Sequence, residues 1–223
     1  MRDNVLKRLE DTLRSLSHSE EALKKIREFS GDLRDTKERM ALFNADGAIV
    51  RSPIQTEQTR ELGFDGEDDH FVLLQGDVVS TESGYFLGER ITGNPKYVVL
   101  NSSCDLVPNR RKCASLARVK EVRESEEKTG AKLDLLLRFK RSDSMYLPVL
   151  PNDRPEVLCN VIDFDGICQI QSGHLMLANR IASLSLVGWR MFASFSRFVL
   201  TRANPREAEM RQAIEQHSGA GSS

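Results

Sequence analysis

No stretch of this sequence is long and apolar enough for a membrane-spanning helix, which needs about 20 such residues. The first segment, MRDNVLKRLEDTLRSL, also lacks the apolar centre of a signal peptide. We therefore predict a cytoplasmic protein that makes no membrane contact. In that compartment the cysteines are expected to remain reduced thiols; they are Cys104, Cys113, Cys159 and Cys168.

An excess of either charge is also missing. The net charge is -1, so the chain as a whole gives no electrostatic argument for binding nucleic acid or an anionic membrane. The charge is unevenly distributed, however, because residues 88–141 contain 13 Lys and Arg against 7 Asp and Glu. This local excess predicts either a surface for a polyanion or acidic protein, or a set of solvated hairpin edges.

The close ligand spacing of a structural metal site is absent. Eight residues separate Cys104 from Cys113 and Cys159 from Cys168, which is not the CxxC or HxxxH spacing of zinc ligands. The DFDG segment at 163–166 has two carboxylates but lacks the other calcium ligands, so it predicts a hairpin turn. We predict no metal site and no cofactor.

The N-terminal part has the pattern of short helices. Its apolar residues recur at three- and four-residue spacing, beginning with Leu6, Leu9, Leu13 and Leu16. We predict a helical arm over residues 1–45 that packs on the main domain or on a partner, because short helices are marginal alone. Residues 46–70 are polar and predict a linker with one short helix near 55–62.

From residue 71 the pattern changes to short β-rich runs separated by Gly, Pro, Asn or Asp. Eight runs are present: FVLLQGDVVS, GYFLGER, KYVVLN, CASLARVKEV, LDLLLRF, MYLPVL, EVLCNVIDF and ICQIQ. Without crossover helices between them, antiparallel pairing is favoured. The predicted fold is α+β, with an antiparallel β-barrel over residues 71–204 that includes a terminal helix capped by Ser185. Residues 205–223 predict a short helix and a disordered tail.

The stretch YVVLNSSCDLVPNRRK, residues 97–112, contains the candidate reactive group. Cys104 follows a predicted strand and precedes cations that favour a thiolate. Asp105 lies beside it, and His174, after the last predicted strand, is the candidate base. The alternative is that Cys104 is a small buried apolar group and Asp105 a turn residue bonded to the backbone.

Basic residues in and after this stretch predict a binding surface. Cations contact phosphates, an aromatic ring stacks on an unpaired base, and alternate residues of a strand share a face. Glutamates close behind could instead pair with these cations. The predicted binding residues are Tyr97, Ser102, Ser103, Arg110, Arg111, Lys112, Arg118 and Lys120.

Two regions have motifs in the order of a known family. GDVVSTESGYFLGERITGNPKYVVLNSS has a GD(I/V)V strand, a loop and a VVLS-like strand, and LPVLPNDRPEVLCNVIDFDG is followed by RIASLS before a helix. These features, over about residues 74–200, resemble the MazF/PemK-like toxins. The SSCDLV turn is similar to one in uncharacterised bacterial, phage and mobile-element proteins.

The resemblance implies an SH3-like barrel, a groove for single-stranded RNA near the strand that Ser102 and Ser103 follow, and a role in toxin–antitoxin systems or phage defence. In those toxins an arginine before the proline of the second motif supports RNA cleavage. Asn94 stands before Pro95 here, so that arginine is not carried over.

Two functions remain. The first is a non-enzymatic module that presents a basic barrel rim to nucleic acid or an acidic protein, with dimerisation through the helical arm or a barrel edge. The second is a diverged ribonuclease or thiol-dependent hydrolase that uses Cys104, Asp105 and His174. We favour the first, because no spacing in the sequence requires a nucleophile, a base and an oxyanion donor to converge.

Overall fold

The computed structural model describes residues 2–16, 19–61, 72–126, 128–201 and 205–219. Within them the helices are α1 (Arg2–Arg14), α2 (Glu20–Asp32), α3 (Thr36–Phe43), α4 (Thr56–Glu61), α5 (Thr129–Leu137), α6 (Ser172–Met176), α7 (Leu186–Thr201) and α8 (Pro205–Gly219). The strands are β1 (Val50–Arg51), β2 (Val78–Ser80), β3 (Tyr85–Phe86), β4 (Glu89–Arg90), β5 (Lys96–Val99), β6 (Cys113–Arg123), β7 (Ser144–Leu147), β8 (Val157–Gln171) and β9 (Asn179–Leu184). A 3₁₀ turn covers Ser103–Leu106.

The strands form one antiparallel sheet in the order β1-β9-β2-β5-β6-β8-β3-β4, with β7 beside β8. The predicted α+β class with antiparallel pairing is confirmed. Closure into a barrel is not, because β1 and β4 at the two ends of this order do not pair with each other in the described part of the chain.

Strands β6 and β8 form the centre of the sheet. Their register shifts from Ala117 opposite Ile167 to Arg118 opposite Asp163, so residues 164–166 form a bulge in β8. The predicted hairpin turn at DFDG is therefore wrong, and EVLCNVIDF and ICQIQ are one strand. The turn signal of the Asp-Gly pair is overridden by pairing with β6 on both sides of it.

The segment LDLLLRF, predicted as a strand, lies mainly in helix α5. Leu133, Leu136 and Leu137 are buried at the three- and four-residue spacing of a helix face. Thr36 at the start of α3 donates a 2.9 Å hydrogen bond to the Asp134 carboxylate of α5. A short run of leucines fits the residue spacing of a strand as well as that of a helix. Packing against α3 therefore determines that this segment is helical.

The N-terminal helices pack on α7 and share the core that lies on one face of the sheet. Leu9, Leu13 and Ile26 belong to the same buried cluster as Phe192 and Phe195 of α7. Their apolar faces are therefore covered within this chain, and a dimer through the arm stays a prediction.

The predicted linker is partly structured. Strand β1 pairs with β9, and α4 confirms the predicted short helix. Residues 62–70 of this region, and residues 220–223 of the tail predicted to be disordered from His217, lie outside the described residues. Residues 217–219 of that tail belong to helix α8.

Helix α7 begins where the sequence predicts. The Ser185 hydroxyl accepts a 3.0 Å hydrogen bond from Gly188 N–H, as an N-cap does. The same hydroxyl donates to the Ala48 carbonyl at 2.8 Å. The cap thus fixes both the start of the helix and the path of the chain before β1.

A second buried cluster lies on the other face of the sheet and includes Val79, Leu116 and Ile170. The buried Cys159 and Cys168 belong to the first and second clusters respectively. Burial raises the pKa of both thiols, that of Cys159 to about 12. These two cysteines are therefore core residues. None of the helices described here is long and apolar enough to cross a bilayer.

Candidate functional site

The Cys104–Asp105 pair lies in the 3₁₀ turn and is tied to the basic loop that follows. Arg110 donates a 3.2 Å hydrogen bond to the Cys104 carbonyl, and Arg111 donates one of the same length to the Asp105 carboxylate. Cys104 itself is exposed. The alternative of a buried apolar cysteine is therefore wrong, and Asp105 pairs with a side chain across the loop.

Helix α6 brings His174 to the same end of the sheet. Ser172, at the start of α6, donates from its backbone N–H to Lys112 (2.9 Å) and from its hydroxyl to Arg111 (2.7 Å). His174 is exposed, and no hydrogen bond or ion pair joins it to Cys104 or Asp105 in the residues described. The candidate catalytic residues are thus neighbours in the fold without the nucleophile–base hydrogen bond of an assembled site.

The predicted binding residues fall into two separate places. Lys120 lies seven positions after Cys113 along β6, which corresponds to about 23 Å at about 3.3 Å per residue. Arg110, Arg111 and Lys112 lie beyond the first end of this strand, whereas Lys120 lies toward the other. The predicted cations therefore do not form one continuous surface, and the basic rim stays a prediction.

A groove of about 740 Å³, which we call the basic groove, lies over the second half of β6. Its lining comes from the loop at 91–95, the second half of β6, and Asn152 and Arg154 of the turn before β8. The cations that line it are Lys96, Arg118, Lys120, Arg123 and Arg154.

Carboxylates pair with several of these cations. Lys96 pairs with the fully buried Asp153 and, at 3.2 Å, with Glu121. The side chain of Lys120 is 54% exposed, whereas that of Asp163, its partner at 2.6 Å, is only 14% exposed. Asp153 and Asp163 are thus less exposed than the lysines they pair with, whereas Glu121, at 27% exposed against 13% for Lys96, lines the groove itself, as does Glu126. Hydrogen bonds from Arg123 and from Lys96 hold the pKa of Glu121 below its usual value.

Arg118 has a different environment from the other groove cations. No carboxylate of the described residues pairs with it, and its guanidinium lies 5.7 Å from the centre of the Phe86 ring. A Cβ atom on Gly166 would lie 3.0 Å from Arg118 Cδ and 3.1 Å from its Cβ. The glycine in the β8 bulge thus leaves the space in which this arginine lies.

Tyr97, the predicted stacking residue, lies in the core. Its side chain is fully buried, its hydroxyl has no hydrogen-bond partner, and burial raises its pKa to about 12. Gly84 packs so closely on the hydroxyl that a Cβ there would overlap it. This placement contradicts a stacking role, because β-strand alternation turned the ring toward the second cluster.

Ser102 is exposed, whereas Ser103 takes part in a network that the sequence analysis missed. The Ser103 hydroxyl accepts a 3.0 Å hydrogen bond from Gln75 N–H, and the Gln75 side-chain oxygen accepts another of 3.0 Å from the Trp189 indole. These residues line a cavity of about 300 Å³, which we call the Trp189 cavity. Trp189 and Gln75 are 114 positions apart, so no local pattern could have predicted their contact.

The described residues contain no group of three or more His, Cys, Asp and Glu arranged to hold a metal ion. The chain matches no protein-family model and no curated protein.

Proposed function

We propose that this protein is a non-enzymatic module that binds single-stranded nucleic acid, and RNA in particular, in the basic groove. The observation that carries the proposal is the groove itself: its lining contains five cations against two carboxylates, Glu121 and Glu126, and the further partners Asp153 of Lys96 and Asp163 of Lys120 lie deeper. A positively charged groove that follows the backbone is the usual feature of proteins that bind single strands.

Arg118 supports a role for bases as well as phosphates. A guanidinium held against an aromatic ring has limited freedom, and bases of single-stranded RNA stack on arginine planes as well as on aromatic rings. Arg118 over Phe86 fits this use, whereas Lys120, Arg123 and Arg154 suit phosphates. RNA is therefore favoured over an acidic protein as the ligand, because an acidic protein would pair with the cations but would have no bases to stack on Arg118.

The resemblance to MazF/PemK-like toxins bears on this groove through its second motif, and it argues against cleavage. Asn94 and Pro95 line the groove, at the motif where those toxins have a catalytic arginine. An asparagine carries no charge with which to stabilise a transition state at phosphorus. We also propose that this chain is a distant relative of that family and that its sheet is a diverged form of the SH3-like barrel.

The experiment is fluorescence anisotropy with a labelled oligo(U) RNA of about 12 nucleotides, a length suited to single-strand grooves. Arg123→Glu and Arg154→Glu are each expected to weaken binding by about tenfold or more, because each replaces a phosphate contact with repulsion. Arg34→Glu is the matched control, since Arg34 is an exposed arginine before α3. Equal affinities for all three variants, or no binding by the natural protein, would refute the proposal.

The same RNA, recovered after incubation, tests the enzymatic alternative. We expect it to remain intact. Cleavage that Cys104→Ala or His174→Ala abolishes would instead assign the activity to the loop and α6.

A further inference from the structure

The Trp189 cavity has the size of a small-ligand site. Its volume of about 300 Å³ is at the lower end of the range for ligand pockets. Asp77 and Ser183 in its lining are buried, whereas Arg51 and Leu186 are exposed and so lie toward the solvent. The cavity shares no lining residue with the basic groove.

The acceptor atoms of this cavity are already used. One Asp77 oxygen accepts from the Ser183 hydroxyl (2.6 Å), and the other accepts from Leu74 N–H (2.9 Å) and from Arg180 (3.0 Å). The Gln75 side-chain oxygen accepts from the Trp189 indole. Because Arg180 balances the Asp77 charge, the buried carboxylate leaves the cavity without a net negative charge.

Donor groups remain available. The Ser103 hydroxyl accepts from Gln75 N–H, but its proton has no acceptor in the described part of the chain. The Gln75 amide has two protons and donates one, to the Leu100 carbonyl at 2.8 Å. The Arg51 guanidinium has no hydrogen-bond or ion-pair partner among the described residues. A lining with free donors and occupied acceptors selects a ligand that supplies acceptors.

The rest of the lining is apolar. It includes the Trp189 ring together with Ile54, Leu74 and Leu184. Such walls favour a flat or branched hydrocarbon body, while a few placed polar groups fix its orientation.

We propose that the Trp189 cavity binds a small organic carboxylate, with its apolar body against Trp189 and its carboxylate hydrogen-bonded by Arg51 and Ser103. The site is independent of RNA binding. Charge-assisted hydrogen bonds to a carboxylate are stronger than those to a neutral carbonyl, so the charged ligand is bound in preference to its neutral analogue.

The test uses the intrinsic fluorescence of Trp189, the single tryptophan of the chain. Benzoate and phenylacetate are titrated into the full-length protein, each beside its neutral amide. We expect a saturable change with at least one acid, and an affinity about tenfold higher than that of its amide.

Two variants locate the ligand. Arg51→Gln is expected to remove the preference for the acid over its amide. Ser103→Ala is expected to lower the affinity for the acid by about tenfold. Arg34→Gln, a change of an exposed arginine outside the cavity, is expected to leave the titration unchanged. Urea unfolding of each variant checks that it is folded.

Equal affinities for acid and amide would overturn the proposal. The proposal is equally overturned if neither acid changes the fluorescence at concentrations up to about 20 mM, which exceeds the Kd of even a weakly bound fragment. A preference that persists in Arg51→Gln would show that the carboxylate binds elsewhere.

Discussion

Replacing Gly166 by alanine tests how the β8 bulge prepares the basic groove. A Cβ atom at this position would lie 2.9 Å from an Asp163 carboxylate oxygen, 3.0 Å from Arg118 Cδ and 3.1 Å from Arg118 Cβ. Optimal contacts between such atoms are about 3.5–4.0 Å. The Arg118 side chain and the Asp163 carboxylate must therefore move, which changes the contact of Arg118 with Phe86 and the ion pair of Asp163 with Lys120.

The expected magnitude follows from these contacts. Overpacking of this kind costs typically about 1–3 kcal/mol of stability. Asp163 Oδ2 and Arg118 Cδ can move with their side chains, whereas Arg118 Cβ is fixed by the backbone, so we expect about 1–2 kcal/mol. Base stacking contributes about 1–3 kcal/mol per base. If displaced Arg118 loses part of one such contact, oligo(U) affinity falls by about threefold to tenfold.

Urea unfolding and anisotropy together provide the assay. Gly130→Ala is the control, because nothing lies within 4 Å of a Cβ atom at that position in α5. An abasic oligomer of the same length separates stacking from charge: Gly166→Ala and Arg118→Lys are expected to lose affinity for oligo(U) but little for the abasic strand. If Arg118→Lys weakens oligo(U) binding and Gly166→Ala does not, the bulge does not position Arg118.

Three further predictions concern charge, thiols and the buried tyrosine. Because Arg123 and Lys96 lower the folded-state pKa of Glu121, its stabilisation is present above the unfolded pKa of about 4.5 and is lost as pH falls through the folded pKa. Glu121→Gln should therefore flatten the acid side of the stability–pH curve, and an unchanged curve would contradict the ion pairs. A thiol reagent should modify Cys104 and Cys113 rapidly in the native protein and the two buried cysteines only in denaturant; rapid loss of all four would contradict the burial. Tyr97→Phe removes an unpaired buried hydroxyl, so stability should be unchanged or rise by up to about 1 kcal/mol and oligo(U) affinity should not change, whereas a loss of affinity would restore the stacking role.

Local patterns in the sequence predicted the features that depend on neighbouring residues. Ser185 caps α7 because a serine before a helical apolar face satisfies the first free backbone N–H groups. The polar segment after residue 45 contains the short helix α4. The antiparallel class followed from short β-rich runs without crossover helices between them.

Features that depend on distant partners were mispredicted or missed. The leucines of α5 became helical where they face α3, and DFDG remained in one strand because β6 pairs on both sides of it. Tyr97 could not be assigned to the core without the packing of Gly84 against it. The Trp189 cavity joins segments separated by more than 100 positions, so only the folded chain reveals it.

The sequence likewise predicted some residues of the candidate site and missed others. Charge in the sequence pointed to Arg118 and Lys120, which line the basic groove. It did not separate them from Arg110 and Arg111, because distance along a strand is not evident until the strand's length is known. Lys96 lines the groove from the start of β5, Arg123 from the end of β6 and Arg154 from the turn before β8.

The most direct test of the account is a nuclear magnetic resonance titration of the isotope-labelled protein with oligo(U). The account predicts that the amide signals that shift most belong to residues 91–96, 118–123 and 152–154, around the basic groove. Shifts concentrated at residues 102–112 and 172–176, or no shifts at all, would contradict it.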